Sequence, residues 1–456
     1  VPPDPLVAQL AAIVGPEHVV TGHDATRPYC VDWSGRFRGT TPAVVRPRST
    51  EEVAALVALC RERAVAIVPQ GGNTGLVGGG VPLAGEVVLS VRRLDGVGDV
   101  DPEAGQLTVG AGATLAAAQR AAASAGWAYG VDIASRETAT IGGNVAANAG
   151  GLRVLRYGDT RAQVVGIEAV LGDGSIVSHL RGLVKDNTGY HLESLLCGSE
   201  GTLGVVTRVR LRLVPRADER VAVLLAFDSV GTAVAAAAAL RRHVRTLEAV
   251  ELFLGDGLDL VGRALALPPP STSRHPAYLL VEAADTTSPA AELAAAVAAL
   301  PSLAAPPVVA SEPADRARLW RYREGHAEAV SALGPPHKFD VALPTGVLAD
   351  FLAAVPSAVG VVVPHARTWI WGHVAEGNVH VNVTGVAPED ERVDDAVLGL
   401  VVRLGGSVSG EHGIGTARRA WLARSRTAAE VDAFRAVKRA LDPDGILNPN
   451  VLLPPG

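Results

Sequence analysis

The stretch Pro69-Gln70-Gly71-Gly72-Asn73-Thr74-Gly75-Leu76-Val77-Gly78-Gly79-Gly80-Val81-Pro82 decides how this chain is read. Six glycines fall between Gly71 and Gly80. Glycine alone takes positive φ freely and lets a backbone come close to a ligand. Successive N–H groups in such a loop form a nest for phosphate oxygens. A flexible surface loop of the same composition is the plain alternative. Upstream, Ala64–Val68 reads as a buried strand. Before it, Ser49 and Glu52 form a capping box, and Val53, Leu56, Val57 and Cys60 at i, i+3, i+4 and i+7 predict a helix. Thr41–Arg46 reads as a short strand ahead of that helix. The loop is not a dinucleotide fingerprint. Gly78/Gly80, Gly110/Gly112 and Gly172/Gly174 each lack a glycine three residues later, so a Rossmann nicotinamide site is poorly supported.

Two further stretches of the same kind follow. Thr140–Gly151 reads T-I-G-G-N-V-A-A-N-A-G-G, and Cys197–Gly204 reads C-G-S-E-G-T-L-G. Short strands at Leu107–Val109, Val164–Leu171 and Val205–Leu213 flank them. Three backbone-exposing loops suit a long cofactor with a pyrophosphate better than a single phosphate. From about Arg220 to Leu404 strands and helices alternate: strands at Val221–Phe227, Ala277–Ala283 and Lys338–Leu343, helices at Thr232–Val244, Pro289–Leu300, Asp315–Ser331 and on to about Ala354. A last helical segment, Glu430–Pro454, ends in L-D-P-D-G-I-L-N-P-N.

The second half also carries a cluster of metal-ligating residue types. Trp369–Asn382 reads W-I-W-G-H-V-A-E-G-N-V-H-V-N, and its end alternates as a half-buried strand does, with His380 and Asn382 on one face. About thirty residues on stands Gly410-Glu411-His412-Gly413-Ile414-Gly415. Two imidazoles and a carboxylate commonly hold a divalent metal with open positions. In an extended strand Glu411 and His412 would face opposite ways, but the flanking glycines allow a turn that aims both inward.

Composition bounds these readings. At 456 residues two or three domains are expected, and 48% hydrophobic with 19% charged residues describes a folded globular chain. A net charge of −6 gives no general attraction to nucleic acid or an anionic membrane, so an anionic substrate needs a local cation. Cys30, Cys60 and Cys197 form no CxxC pair, which fits a reducing compartment. The start V-P-P-D-P-L-V-A-Q-L lacks a basic n-region and does not read as a signal peptide. No apolar run reaches the length of a membrane span. A cytoplasmic protein is the expectation.

The ordered set P-Q-G-G-N-T-G-L-V-G-G, T-I-G-G-N-V-A-A-N-A-G-G-L-R-V-L-R-Y-G, K-D-N-T-G-Y and G-S-E-G-T-L-G closely resembles the flavin-binding half of the FAD-linked D-2-hydroxyacid dehydrogenases. This family includes enzymes of the D-2-hydroxyglutarate and flavin D-lactate dehydrogenase type, with a p-cresol methylhydroxylase-type FAD domain. The resemblance runs from about Pro42 to Pro215 and resumes from about Trp320 to the C-terminus. It implies an α+β chain in three parts. Residues 1–215 would form the FAD-binding domain and 216–404 an α+β cap (substrate) domain with the metal-binding strands. Residues 405–456 would carry Glu411 and His412 and pack back on the FAD domain.

Carried over residue by residue, the resemblance assigns the flavin contacts. They are Pro69, Gln70, Gly71, Gly72, Asn73, Thr74, Gly75, Ser135, Thr140, Gly142, Gly143, Asn144, Asn148, Gly201, Val206 and Asn448. Asn73 stands where some relatives anchor flavin covalently through histidine, so dissociable FAD is expected. The same resemblance makes His373, His380 and Glu411 the ligands of a divalent metal, with zinc favoured over manganese or iron. It makes His412 the proton acceptor, also touching substrate, Asn382 a substrate contact, and Arg323 and Lys338 the cations for a substrate carboxylate. Ala327 departs from the hydroxyglutarate pattern, which has threonine there. That loss, with Trp369 and Trp371 beside His373, favours a more apolar substrate, unless the tryptophans are core residues.

The expected reaction is oxidation of a D-2-hydroxy acid to its 2-keto acid. Electrons would pass to an acceptor such as an electron-transfer flavoprotein, quinone or cytochrome, and a homodimer is compatible. The alternatives are an oxygen-using flavin alcohol oxidase and an electron-transfer flavoprotein with a structural metal.

Overall fold

Ser49 starts the first long helix as expected: its Oγ accepts from the Glu52 N–H at 3.2 Å, and the helix runs Thr50–Glu62. The reciprocal half of the box is shifted, because the Glu52 carboxylate accepts from Arg48 N–H at 2.8 Å, one residue before the cap. Val53, Leu56, Val57 and Cys60 are all buried, so the sequence periodicity passes directly into a core face. The next strand begins at Ile67 and not Ala64, since Ala64 takes a left-handed φ of 52° as the chain leaves the helix. The strand predicted over Thr41–Arg46 is confined to Val44–Val45.

The computed structural model describes residues 5–271 and 273–454. The first four and last two residues of the expected terminal parts, with the V-P-P-D on which the signal-peptide reading leans, lie outside the described residues. The chain divides into two units: Val1–Gly151, Gly158–Pro215 and His412–Gly456 form one, and Leu152–Tyr157 with Arg216–Glu411 form the other.

The first unit holds a four-stranded sheet in the order Val19–Val20, Val44–Val45, Val87–Ser90, Ile67–Gln70. The last three of these strands run parallel. Its second sheet is antiparallel: Val97–Asp101, Gln106–Gly110, Val205–Arg212, Val164–Val170, Ile176–His179. One apolar core joins both sheets and takes in Ile446 and Leu447 from the tail. The glycine-rich loop 71–80 leaves the end of Ile67–Gln70, and Cys197–Gly204 leads into Val205–Arg212. The middle stretch is partly helical. Ile141–Ala147 forms a helix capped by Thr140 and ended by Asn148 at φ 50°. Gly142 serves close packing there, because a Cβ on it would lie 2.6 Å from that of Ala111.

The second unit is built on a seven-stranded sheet. Its strands are β1 (Glu219–Phe227), β2 (Leu247–Leu254), β3 (Ala277–Asp285), β4 (Val308–Ala310), β5 (His337–Ala342), β6 (Arg367–His373) and β7 (Asn378–Thr384). They lie in the order β4-β1-β3-β2-β6-β7-β5, with every pairing antiparallel. The helix expected over Asp315–Ser331 is two helices, Pro313–Glu324 and His326–Ser331, joined at Gly325. Gly325 allows the junction: a Cβ there would meet Leu265 and Val261 side-chain atoms at 2.6 and 2.9 Å.

Trp369 and Trp371 lie in this unit's core with Phe253 and Tyr322, 1% and 5% exposed, which decides for the core reading of the tryptophans. Trp369 Nε1–H donates to Thr384 Oγ1 at 2.9 Å. Thr345–Val362 is the one helix among the described residues with the length and hydropathy of a membrane span, where the sequence predicts no run of that length. It carries Asp350 and buries Leu348, Phe351, Leu352, Val355 and Val359 as a single stripe, the pattern of a helix lying on a core.

Gly372 shows how tightly β6 and β7 approach. Its φ is +153°, and a Cβ would lie 2.7 Å from Asn378 O and Val379 Cα. Gly372→Ala must part the strands beside His373. A loss of ~1–3 kcal/mol is expected in urea unfolding, and an unchanged midpoint would show that the strands can separate freely.

Candidate active site

Register places the polar groups of the second unit on one face of its sheet. Across β6 and β7, Trp369 faces Asn382 and Trp371 faces His380. Across β7 and β5, Asn382 faces Lys338 and His380 faces Asp340. Across β2 and β6, Glu251 faces His373. Directly opposed residues of antiparallel strands share a face, so Glu251, His373, His380, Asn382, Asp340 and Lys338 form one array.

The two imidazoles converge on one carboxylate oxygen. His373 Nε2 and His380 Nε2 each lie 3.6 Å from Glu411 Oε1. That is beyond a hydrogen bond. It is close to the separation of two atoms that each bind one ion at about 2.1 Å with a tetrahedral angle, about 3.4 Å. The rings stand edge to face, 5.4 Å apart at 83°. Asp340, His380 and Glu411 each offer a ligand atom within 4.8 Å of the others. The turn expected of the flanking glycines is present, with Gly413 at φ 85° and Gly415 at φ 52°. This donor set fits a divalent metal.

Two buried carboxylates that the sequence reading passed over support the array. Asp340, 1% exposed, accepts from the Gly410 and Glu411 N–H groups through Oδ2 at 3.1 and 2.8 Å, and from Asn378 Nδ2 through Oδ1 at 2.7 Å. Its Oδ1 lies 3.5 Å from His380 Nδ1. Glu251 Oε1 accepts from His373 Nδ1–H at 2.6 Å and Oε2 from Arg323 Nε–H at 2.5 Å. The signal for Glu251 was a lone acid inside A-V-E-L-F-L. A charge in an otherwise apolar strand is rarely buried unless paired. Asp340 alternates with Lys338 in H-K-F-D, so it shares that lysine's face.

The charges follow from this packing. Burial alone would raise the Glu251 carboxyl, but the Arg323 guanidinium and then His373 hold it down at about 2. Burial would likewise lower His373, yet Glu251 and Glu411 raise it well above the usual imidazole range. His380 moves the other way: burial pushes it down more than Asp340 and Glu411 restore. Burial also lifts Glu376, on the turn between the two histidines, to about 7.

In the first unit several of the expected flavin contacts lie around the strand end Pro69-Gln70. Gln70 Nε2 donates to Tyr29 O and Gly80 O at 2.9 and 2.7 Å, closing the glycine loop that holds Gly71, Gly72, Asn73, Thr74 and Gly75. Asn73 has φ 54° and its amide donates to Val31 O at 2.9 Å. A Cβ on Gly71 would lie 2.2 Å from Thr140 Oγ1, and one on Gly201 would lie 3.2 Å from Pro69, so the three loops touch. Thr140 Oγ1 caps Gly143 N–H, and Asn148 binds Asp159 and Arg161 N–H. Asn448 Nδ2 donates to Gly79 O and Glu200 O at 2.9 and 2.7 Å, tying tail, first loop and third loop together.

Glu200 in turn accepts from Ile414 and Gly415 N–H at 2.8 and 2.7 Å, and burial lifts its carboxyl to about 7. Ser135 is half-buried ahead of Thr140, and Val206 is buried on its strand. Asn144 Nδ2, Ser199 Oγ and Asn448 Oδ1 are buried without a hydrogen-bond partner among the described residues. One such atom from each of the second loop, the third loop and the tail fits a polar cofactor such as FAD. The K-D-N-T-G-Y segment joins none of this, and Tyr190 is 98% exposed.

If Asp340 holds the Glu411 segment, Asp340→Ala leaves the Glu411 N–H without its carboxylate acceptor and the Gly410 N–H with only the residue 340 carbonyl at 3.2 Å, at a cost of ~1–3 kcal/mol. Amide exchange at Gly410 and Glu411 should accelerate. Unaltered protection there would show that another group holds the turn.

An FAD binding domain family matches residues 41–179, and the C-terminal domain of FAD linked oxidases matches residues 216–452. The D-2-hydroxyglutarate dehydrogenase of Xanthomonas citri pv. viticola is 36% identical over 98% of this chain and 97% of its own length. The mitochondrial D-2-hydroxyglutarate dehydrogenase of Bos taurus is 35% identical over 98% of this chain and 83% of its own. Among solved structures, p-cresol methylhydroxylase with bound substrate superposes with a TM-score of 0.76 at 18% identity, covering 98% of this chain and 95% of that one. Alkyldihydroxyacetonephosphate synthase gives 0.76 at 18% identity, covering 97% and 84%. At that identity the two structures speak for the fold alone, a p-cresol methylhydroxylase-like FAD-binding fold. With two family matches in order along the chain and relatives that align from end to end, the chain belongs to the FAD-linked D-2-hydroxyacid dehydrogenase family, whose members are FAD-dependent oxidoreductases acting on CH–OH groups.

Proposed function

We propose that this chain oxidises a D-2-hydroxy acid to the 2-keto acid with noncovalent FAD and a divalent metal, zinc first, held by His373, His380 and Glu411. The observation that carries the metal is the pair of Nε2 atoms, each 3.6 Å from Glu411 Oε1. When bound, FAD would supply the acceptor for the C2 hydride. A divalent ion at this donor set would stabilise an alkoxide, lowering the pKa of the substrate hydroxyl.

The chain's own residues take the remaining tasks. Lys338 and Arg323 supply positive charge for the substrate carboxylate in a protein that is acidic overall. Arg323 holds Glu251 through Nε, and its guanidinium has four further N–H donors. Asn382, buried on the same face as Lys338, offers an amide to the substrate. His412, bonded to Glu411, takes the hydroxyl proton, a task suited to neutral imidazole.

Among D-2-hydroxy acids we place D-2-hydroxyglutarate first, on the relatives aligned over the whole chain. D-Lactate stays beside it, because Ala327 is exposed and offers only a methyl where a threonine hydroxyl would help a second carboxylate. The apolar-substrate reading loses its tryptophan support, since Trp369 and Trp371 are core residues. We further propose an electron-transfer flavoprotein, quinone or cytochrome as electron acceptor, an assembly compatible with a homodimer, no nucleic-acid partner, no membrane span, and a reducing compartment such as the cytoplasm. Three free, buried cysteines support the last of these.

Anaerobic mixing with D- and L-2-hydroxy acids tests the reaction. D-2-Hydroxyglutarate or D-lactate should bleach the flavin, and bleaching by the L-enantiomers alone would overturn the assignment. Acid precipitation should leave FAD in the supernatant; flavin retained on the chain would contradict dissociable binding. His412→Asn should lower the limiting rate of flavin reduction by roughly 10²–10⁴-fold at saturating substrate. A wild-type limiting rate would assign the proton to another group.

A further inference from the structure

Glu251 stands in the middle of the proposed site without being a metal ligand or a substrate contact in that reading. Its side chain is 1% exposed, on the central strand β2, directly opposite His373. The two carboxylate oxygens have different partners. Oε1 accepts from His373 Nδ1–H at 2.6 Å and Oε2 from Arg323 Nε–H at 2.5 Å. One buried group therefore touches both a candidate metal ligand and a candidate substrate cation.

We propose that Glu251 is the positioning residue that makes metal retention and capture of the substrate carboxylate depend on each other. The inference rests on the metal-dependent dehydrogenase reading. A neutral imidazole that donates Nδ1–H to a carboxylate keeps its lone pair on Nε2 for a metal and has its ring angle fixed. Nε2 is the His373 atom that lies 3.6 Å from Glu411 Oε1. Glu251 thus selects the tautomer that can ligate, and it aims that atom.

The bond to Arg323 does the second half of the work. The Arg323 side chain is 9% exposed, and a buried cation deprived of its partner is strongly unfavourable. With Glu251 present, the guanidinium is held through Nε and its charge is balanced locally. Without it, an unbalanced positive charge would stand close to His373 and oppose a second positive charge there. Removing one carboxylate should therefore loosen the metal twice, by freeing the ring and by exposing the ion to Arg323. It should also release the guanidinium from its orientation, which weakens substrate capture. Asp340 differs in kind: its oxygens hold Asn378 and the backbone of Gly410 and Glu411, with His380 Nδ1 farther away at 3.5 Å.

A plain structural ion pair would make a different forecast, in which Glu251→Gln lowers stability and leaves the folded protein's metal affinity alone. The test uses full-length holoprotein carrying Glu251→Gln, Glu251→Asp or His380→Ala. Zinc affinity is measured by competition with a chromophoric chelator, zinc per FAD after gel filtration, and KM and kcat for D-2-hydroxyglutarate at saturating zinc. Glu251→Gln should bind zinc about 10–100-fold more weakly, with FAD content and far-UV circular dichroism unchanged. Its KM should rise by a larger factor than its kcat falls. Should that variant not fold, Glu251→Asp carries the test: it keeps the negative charge for Arg323 but is too short to reach both partners, and zinc should still weaken.

Wild-type zinc affinity in the folded Glu251 variant, with zinc lost from His380→Ala, would overturn the role of Glu251 alone. Wild-type zinc affinity in His380→Ala would overturn the metal reading and this inference with it.

Discussion

The antiparallel register between Arg367–His373 and Asn378–Thr384 is the constraint on which the second unit's chemistry depends. With Trp371 opposite His380 and Trp369 opposite Asn382, the pleat sends the histidines to one face. A slip of one residue would turn His380 and Asn382 to the other side. Gly372 and Gly377 hold that register. The first lets β7 pass within contact of its backbone, and the second, at φ 77°, closes the short turn between the strands. The same face collects Lys338 and Asp340 from one neighbour and Glu251 from the other. A site assembled this way takes its histidines from strands and Glu411 from a turn tied to Asp340, which suits a metal whose ligands must hold their geometry to a fraction of an ångström.

In the first unit, close backbone approach plays the part that register plays in the second. Gly71, Gly72 and Gly142 stand where a Cβ would strike a neighbouring loop or strand, so much of the glycine content serves packing of loop on loop. Asn448 then clasps the first and third loops to the tail, and Glu200 gathers the amides of Ile414 and Gly415. The tail also pairs with the strand before the glycine loop: Ile67 N–H donates to Ile446 O at 2.8 Å, and Asn448 N–H donates to Ile67 O at 2.8 Å. The segment that follows His412 is therefore anchored to the loops expected to hold flavin.

Buried ionisable groups cluster on this face of the second unit's sheet. Glu251, His373, Glu411, His380 and Asp340 form a linked set in which each member has at least one charged neighbour. Such a set costs stability unless every charge is balanced. Its convergence on one face of the sheet is the pattern of a site retained for function. Burial pushes both His373 and His380 down; Glu251 at 2.6 Å, with Glu411, more than offsets it at His373, whereas Asp340 at 3.5 Å and Glu411 do not at His380, which His373 and Arg323 lower further.

Local devices were legible in the residues alone. Ser49 capped a helix whose apolar stripe was readable at i, i+3, i+4 and i+7, and the alternation of Val379, His380, Val381 and Asn382 gave a strand and its faces. The three glycine-rich stretches, the Trp369–Asn382 run with its two histidines and the Gly410–Gly415 run with Glu411 and His412 were visible because each is short and contiguous. Local patterns did not reveal the split at Gly325, the helix inside Thr140–Gly151, or the core burial of Trp369 and Trp371. Those depend on what the neighbouring elements leave room for. Only the tertiary structure joined Glu251 to His373, 122 residues away, and to Arg323, 72 residues away. An acid in an apolar strand announces that it needs a partner, but strand order and register, set by packing across the whole sheet, decide which partner it meets.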